Sequence, residues 1–253
     1  SHPYISTGLK QNKFGVDIGR AREIFERVRR RRNVRMTGLQ AHIGSQILET
    51  GPLSETAREL AGLGGALAKE GFPIENLDIG GGIGVGPGAP TAEAYAASVL
   101  PFLRGLPFKI LIEPGRAVAG PAGALLTRVL YVKQERGRNF VVTDAGMNDL
   151  IRPALYEAIH PMESVAPPRG QSFTADVVGP VCETSDFFLR DAVIEAPREG
   201  DLLAIRDAGA YGFAMSSNYN FRPRAAEVLI EGGEARQIRR RETFEDLTRL
   251  EDV

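Results

Sequence analysis

A single cysteine, Cys182, stands among the 253 residues. One thiol excludes an internal disulfide and fits a reducing cytosol. An excess of charge is missing too: 31 Lys and Arg against 32 Asp and Glu leave a net charge of −1. That balance makes no electrostatic case for nucleic acid or an anionic membrane as partner. No apolar run reaches the ~18 residues of a membrane span, and no signal-peptide pattern opens the chain. Internal repeats, low-complexity stretches and a metal-ligating pattern are also lacking. The expectation is a cytoplasmic globular protein with one large domain or two smaller ones. The opening Ser1-His2-Pro3-Tyr4 has no initiating methionine and reads as the middle of a loop, so the chain is expected to be a piece of a longer protein.

Glycine, by contrast, is abundant at 29 residues, and much of it is clustered. Clustered glycine implies tight turns and close backbone approach. Ala21, Ile24, Phe25 and Val28 recur at helical spacing and predict a helix over 19–32, with Asp17 as its N-cap. Its run Arg29–Arg32 reads as a solvated face rather than a nucleic-acid patch. A strand is predicted over 36–43, a helix over 53–69, a strand over 77–79, a helix over 92–103 and a strand over 109–112. Strands alternating with helices of this length argue for βαβ units and a parallel sheet. Polar or glycine-rich residues follow each strand at its C-terminal end, where barrel and doubly wound proteins place active sites. Three units cannot close an eight-stranded barrel, so a barrel requires further sequence upstream.

Beyond about Gly120 the pattern changes. Short strand-like runs are read at 125–133, 140–143, 173–178, 192–195, 202–205 and 226–230. Few are separated by helix-length crossovers, so an antiparallel β domain is expected. Gly232-Gly233 suits a hairpin, and 243–250 a short helix.

Five clusters carry the chemistry: His42-Ile43-Gly44-Ser45-Gln46, Asp78-Ile79-Gly80-Gly81-Gly82, Glu113-Pro114-Gly115-Arg116, Gly179-Pro180-Val181-Cys182-Glu183 and Gly209-Ala210-Tyr211-Gly212. The triple glycine follows a strand, and its backbone amides can approach a phosphate closely; a plain tight turn is the alternative. His42 is either a strand-end functional group or a satisfied core histidine. Glu113 and Arg116 could form a surface ion pair. Arginine can grip a carboxylate bidentately, and Arg152 and Tyr156, four apart, would share one face of a helical turn. Cys182 is a proton donor or a small buried hydrophobe.

In this order and at these separations the clusters resemble the fold-type III pyridoxal-phosphate (PLP) decarboxylases of the ornithine, diaminopimelate and arginine family. Lys13-Phe14-Gly15 matches as well. The stretch Asp144–Tyr156 (Asp-Ala-Gly-Met-Asn-Asp-Leu-Ile-Arg-Pro-Ala-Leu-Tyr) and Met215-Ser216-Ser217-Asn218-Tyr219-Asn220 resemble the diaminopimelate branch. The resemblance implies part of a (β/α)8 PLP-binding barrel over 1–118 and a C-terminal β domain over 119–253. It implies removal of CO2 from meso-2,6-diaminopimelate to give L-lysine, the last step of lysine biosynthesis, by a homodimer with shared active sites.

By resemblance the cofactor is held by His42, Ser45, Gly80, Gly81, Gly82, Glu113, Pro114, Gly115, Arg116 and Tyr211. His42 would stack on the pyridine ring. Glu113 would keep the ring nitrogen protonated, so that the ring withdraws electrons from the amino acid's α-carbon. Arg116, Arg152, Tyr156, Glu183 and Tyr211 would bind substrate, Glu183 at its distal amino group. Cys182 would protonate the carbon that CO2 leaves, since a thiol of ordinary pKa about 8.5 is mostly protonated at neutral pH. One departure is plain. The family's Schiff-base lysine, in a Tyr-x-x-Lys-Ala type motif, has no match, and none of Lys10, Lys13, Lys69, Lys109 and Lys133 replaces it. The chain alone is therefore expected to be inactive. Two alternatives accompany this reading: a sister decarboxylase of ornithine, arginine or a carboxylated polyamine, and a non-catalytic regulatory homologue.

Overall fold

The structure, a computed structural model, describes residues 13–135, 137–165, 167 and 169–252. The opening Ser1-His2-Pro3-Tyr4 and Lys10 lie outside the described residues. The chain divides into two compact units, the first ending at Val118 and the second beginning at Ala119. No helix is long and apolar enough to cross a membrane among the described residues.

The first unit is built from βαβ repeats. Asp17 accepts from the amide of Gly19 at 2.8 Å and caps a 3-10 turn leading into helix α1 (Ala21–Arg29). The arginine run behaves as a solvated edge: Arg29 pairs with Glu26 at 4.0 Å and lies over the Phe72 ring, while Arg30, Arg31 and Arg32 are exposed. Strand β1 (Gly38–Gln40) is shorter than the predicted run. Among the described residues it pairs with β2 (Asn76–Gly81) alone, and the chain leaves the sheet soon after, with the Ala41 amide still donating to Asp78 at 3.0 Å. Helix α2 (Thr50–Lys69) buries Leu53, Ala57, Leu60, Gly64 and Leu67, spaced three and four apart as one helix face requires. It stops at Gly71, whose φ of +80° suits glycine, and the Phe72 amide closes the turn onto Leu67 at 3.1 Å. Helix α3 (Ala92–Leu103) has the predicted bounds; Thr91 caps it through the Ala94 amide at 3.2 Å, and Tyr95, Val99 and Leu103 face inward. Strand β3 (Lys109–Glu113) runs into the short helix α4 (Gly115–Ala119).

The three strands form a parallel sheet in the order β1-β2-β3. Leu53, Ala57 and Leu60 of α2 and Tyr95, Val99 and Leu103 of α3 pack with Ile79 and Ile83 in one core. Phe25, Leu67, Phe72, Ile74, Leu77 and Phe108 form a second core around the C-terminal end of α2. Because all three strands run the same way, their C-terminal ends and the turns after them lie along one edge of the sheet.

The second unit is dominated by a six-stranded sheet in the order β6-β9-β4-β5-β7-β8. Its strands are β4 (Leu125–Glu135), β5 (Arg138–Thr143), β6 (Met162–Ser164), β7 (Ser172–Val178), β8 (Phe187–Glu195) and β9 (Leu202–Ile205). Strand β4 is long enough to serve two partners, pairing through Leu125–Arg128 with β9 and through its second half with β5. The sheet is antiparallel as expected except at one pair: β5 and β7 run parallel. The stretch between them carries helix α5 (Arg152–Tyr156) and strand β6, which gives the chain the length to return in the same direction. Val129, Val141, Leu150, Ala175, Val177, Phe188, Leu203 and Ile205 make its core. A separate hairpin, β10 (Glu227–Glu231) and β11 (Glu234–Arg239), turns on Gly232 and Gly233, both at positive φ. Helix α6 (Phe244–Thr248) begins at a capping box between Thr243 and Asp246.

Candidate active site

In the first unit the sequence-predicted residues gather at the C-terminal edge of the parallel sheet. The triple glycine is squeezed from both sides. A Cβ on Gly80 would strike the carbonyl oxygen of Ala41, one on Gly81 that of Glu113, and one on Gly82 that of Gly44. Gly80 and Gly82 also hold φ of +71° and +87°, which disfavour any side chain. The glycines therefore serve close strand packing first. The Gly80 amide donates to Asp78 Oδ1 at 2.9 Å and the Gly81 amide to His42 Nδ1 at 3.3 Å, so both are already engaged within the fold.

The same bare backbone lets the flanking strands communicate. Gln40 on β1 and Glu113 at the end of β3 stand on either side of β2, and Gln40 Nε2 donates to Glu113 Oε2 at 3.3 Å. Pro114 accepts the Val118 amide through its carbonyl at 3.0 Å, and α4 starts at Gly115. That turn carries Arg116, only 7% exposed, whose Nε and a terminal nitrogen donate to Ser45 Oγ at 3.2 and 2.9 Å. The sheet edge thus combines an exposed carboxylate, a half-buried imidazole, a buried guanidinium on a hydroxyl, and a glycine turn. Lys109 lies at the opposite end of β3 from Glu113.

In the second unit the predicted substrate residues fall in two groups. Arg152, 4% exposed, opens α5 with its guanidinium carbon 5.6 Å from the Tyr156 ring and 5.8 Å from the Tyr211 ring. The helical turn does bring Arg152 and Tyr156 together. Tyr211 is in the left-handed region at φ +61°, an uncommon place for an aromatic residue. The other group is the turn after β7, where Cys182 and Glu183 are exposed, so the buried-hydrophobe alternative for the cysteine does not hold. Ser185 and Tyr219 each donate a hydroxyl to Glu183, Tyr219 to Oε2 at 2.6 Å. Those two bonds, Ser185 first, hold the Glu183 carboxyl below the ordinary glutamate range, and Glu183 in turn pushes the Tyr219 phenol up. Glu183 and Tyr219 line a cavity of about 340 Å³ with Met147, Asn148, Ile151 and Ser217.

Three supporting residues escaped the sequence reading. Asp186, 3% exposed, accepts the amides of Met147 and Val181, both at 2.6 Å, one on each carboxylate oxygen. It ties the Cys182–Glu183 turn to the 144–150 loop; Gly179 lies against its carboxylate where a Cβ would not fit, and a Cβ on Gly146 would be tight at 3.1 Å from it. Burial pushes its carboxyl above the ordinary aspartate range, and the Val181 and Met147 amides offset only part of that. Asn148, buried at 1%, accepts from Arg222 Nε at 3.0 Å and through its carbonyl from the Ser217 amide at 2.9 Å. Tyr219 stood within a quoted motif without a role. A buried carboxylate spanning two loops leaves no periodic trace; its one sequence signal is the pair of glycine-containing turns that make room for it.

The model of the family described as pyridoxal-dependent decarboxylase, C-terminal sheet domain, matches residues 16–209. Diaminopimelate decarboxylase of Neisseria meningitidis serogroup A is 50% identical over 248 residues, which are 97% of this chain and 61% of that protein. The Aquifex aeolicus diaminopimelate decarboxylase is 44% identical, over 97% of this chain and 59% of its own length. Among solved structures, diaminopimelate decarboxylase from Helicobacter pylori complexed with L-lysine superposes with a TM-score of 0.91 at 43% identity, covering 99% of this chain and 63% of that one. The chain therefore spans about three fifths of the length of the relatives it matches.

Proposed function

Because the chain belongs to the pyridoxal-dependent decarboxylase family, we propose that the protein carrying it removes CO2 from meso-2,6-diaminopimelate to give L-lysine, with PLP as cofactor. The observation that carries the substrate assignment is a pair of opposite charges, set in two separate groups of the second unit. A buried guanidinium, Arg152, is framed by Tyr156 and Tyr211, and an ionised carboxylate, Glu183, faces a cavity. Diaminopimelate has a second amino-carboxylate end that needs both. Ornithine and arginine lack the second carboxylate.

The donor set of the first unit suits a phosphorylated pyridine. Ser45 and Arg116 offer a hydroxyl and a guanidinium to an anion. With the Gly80 and Gly81 amides engaged, the glycine turn's contribution to the phosphate falls to Gly82. Tyr211 adds a hydroxyl. Glu113, oriented by Gln40, would hold a proton at the ring nitrogen, and His42, fixed by the Gly81 amide, would pack against the ring. When bound, the cofactor accepts the electron pair left as the bond between the α-carbon and the carboxylate breaks. Arg152 and Tyr156 orient the distal carboxylate and Glu183 the distal ammonium. Arg116 serves phosphate or substrate carboxylate. Cys182 Sγ–H delivers a proton to the α-carbon, and the thiolate regains one from solvent.

The deciding experiment offers the cofactor-loaded protein meso-diaminopimelate and L-ornithine together and follows CO2 release. Loss of CO2 from diaminopimelate alone is expected; turnover of ornithine with diaminopimelate untouched would overturn the assignment.

A further inference from the structure

Tyr219 is half exposed, at 49%, and belongs to no core cluster, yet its position is specified in detail. Its own amide donates to Ser217 Oγ at 3.3 Å. The residues on either side are tied down by Glu242, which accepts from Asn218 Nδ2 at 2.6 Å, the Arg224 amide at 2.9 Å and Arg224 Nε at 2.8 Å. Asn220 and Phe221 both take left-handed φ, +54° and +58°, and the Phe221 ring meets Phe244 edge-on at 5.3 Å. Such backbone costs persist only where the surroundings over-determine them. The product of all this is one hydroxyl placed 2.6 Å from Glu183 Oε2 at the wall of the cavity.

We propose that Tyr219 is a positioning residue for substrate specificity: by donating to Glu183 it sets the carboxylate at the cavity wall for a distal ammonium group, and so selects amino acids that carry one. This rests on the reading of Glu183 as the ligand of the distal amino group. An ionised carboxylate offers about four acceptor sites, and an ammonium brings three donors. Ser185 and Tyr219 each use one site, on different oxygens, which leaves acceptor capacity on both. An exposed glutamate without those anchors would have to give up its rotamer freedom at the moment of binding. Held in advance, it does not.

The test is an equilibrium one, independent of turnover. L-lysine and 6-aminohexanoate differ only in the amino group beside the carboxylate. Their dissociation constants are measured by calorimetry on the cofactor-loaded wild type, Tyr219→Phe and Glu183→Gln. The wild type should prefer L-lysine. Tyr219→Phe should cut that preference by roughly three- to tenfold, the size of one ordinary net hydrogen bond. Its remaining preference should also fade at a higher pH than in the wild type, because the carboxylate loses a donor that favours its charged form. Glu183→Gln should abolish the preference. If Glu183→Gln abolishes it and Tyr219→Phe leaves it intact, Tyr219 has no positioning role and the proposal fails while the reading of Glu183 stands. If neither variant moves it, the reading of Glu183 fails and takes the proposal with it.

Discussion

Arg152 illustrates how much one residue's setting adds to its identity. Arginine is usually a solvated surface group, yet this one is buried between two tyrosine rings at the start of a five-residue helix. A lysine there would keep the charge but lose the planar fork that matches a carboxylate and stacks on rings. Arg152→Lys should therefore raise KM for diaminopimelate on the order of tenfold, with a smaller change in kcat; steady-state kinetics on the cofactor-loaded protein would measure it. The candidate site residues were read from short motifs of unusual composition, several of them at the end of a strand. Asp186 and Gln40 were not, because their partners are a backbone amide or a side chain dozens of positions away. Beyond the glycine-containing turns around Asp186, little in the sequence marks such contacts.

Elements were most legible where one face is buried and the ends are chemically marked. Helix α3 has Thr91 before it and an apolar residue every fourth position. Strand β6 was missed because three residues of mixed polarity make no pattern, and the first half of β8 because Arg190 and Asp191 interrupt its apolar run. In the six-stranded sheet, the parallel pairing of β5 with β7 could not be foreseen from strands alone. Its direction depends on what the 144–171 connection does. The loop that holds Tyr219 depends on a different device, the Glu242 clamp. Arg224 first, then its amide, bring the Glu242 carboxyl down to about 2. Since the folded value lies below the ordinary glutamate value of about 4.3, the clamp is at full strength above that value and weakens as pH falls toward about 2. Glu242→Gln should cost on the order of 1 kcal/mol at neutral pH, after screening by solvent. The difference in Tm between it and the wild type should shrink as pH is lowered through that window; a constant difference would contradict the clamp.

At the scale of the molecule, the two units divide the chemistry. On the proposed reading the first carries most of the cofactor ligands on its sheet edge and the second most of the substrate ligands, with Arg116 and Tyr211 as the exceptions. The exposed Cys182 and Glu183 fit a turn that completes its site in a second copy of the chain. If sites are shared in this way, Cys182→Ala and Glu113→Gln proteins, each nearly inactive alone, should regain activity when subunits are mixed. Random pairing would restore roughly a quarter of the wild-type rate, from one intact site in half of the dimers. Absence of any recovery would show that each copy builds its site alone. Everything in the proposed chemistry depends on Glu113 meeting a pyridine nitrogen. The most direct measurement is the nitrogen-15 chemical shift of ring-labelled PLP bound to the protein at neutral pH. A protonated ring nitrogen in the wild type that becomes unprotonated in Glu113→Gln is the expected result. The same shift in both proteins would contradict it.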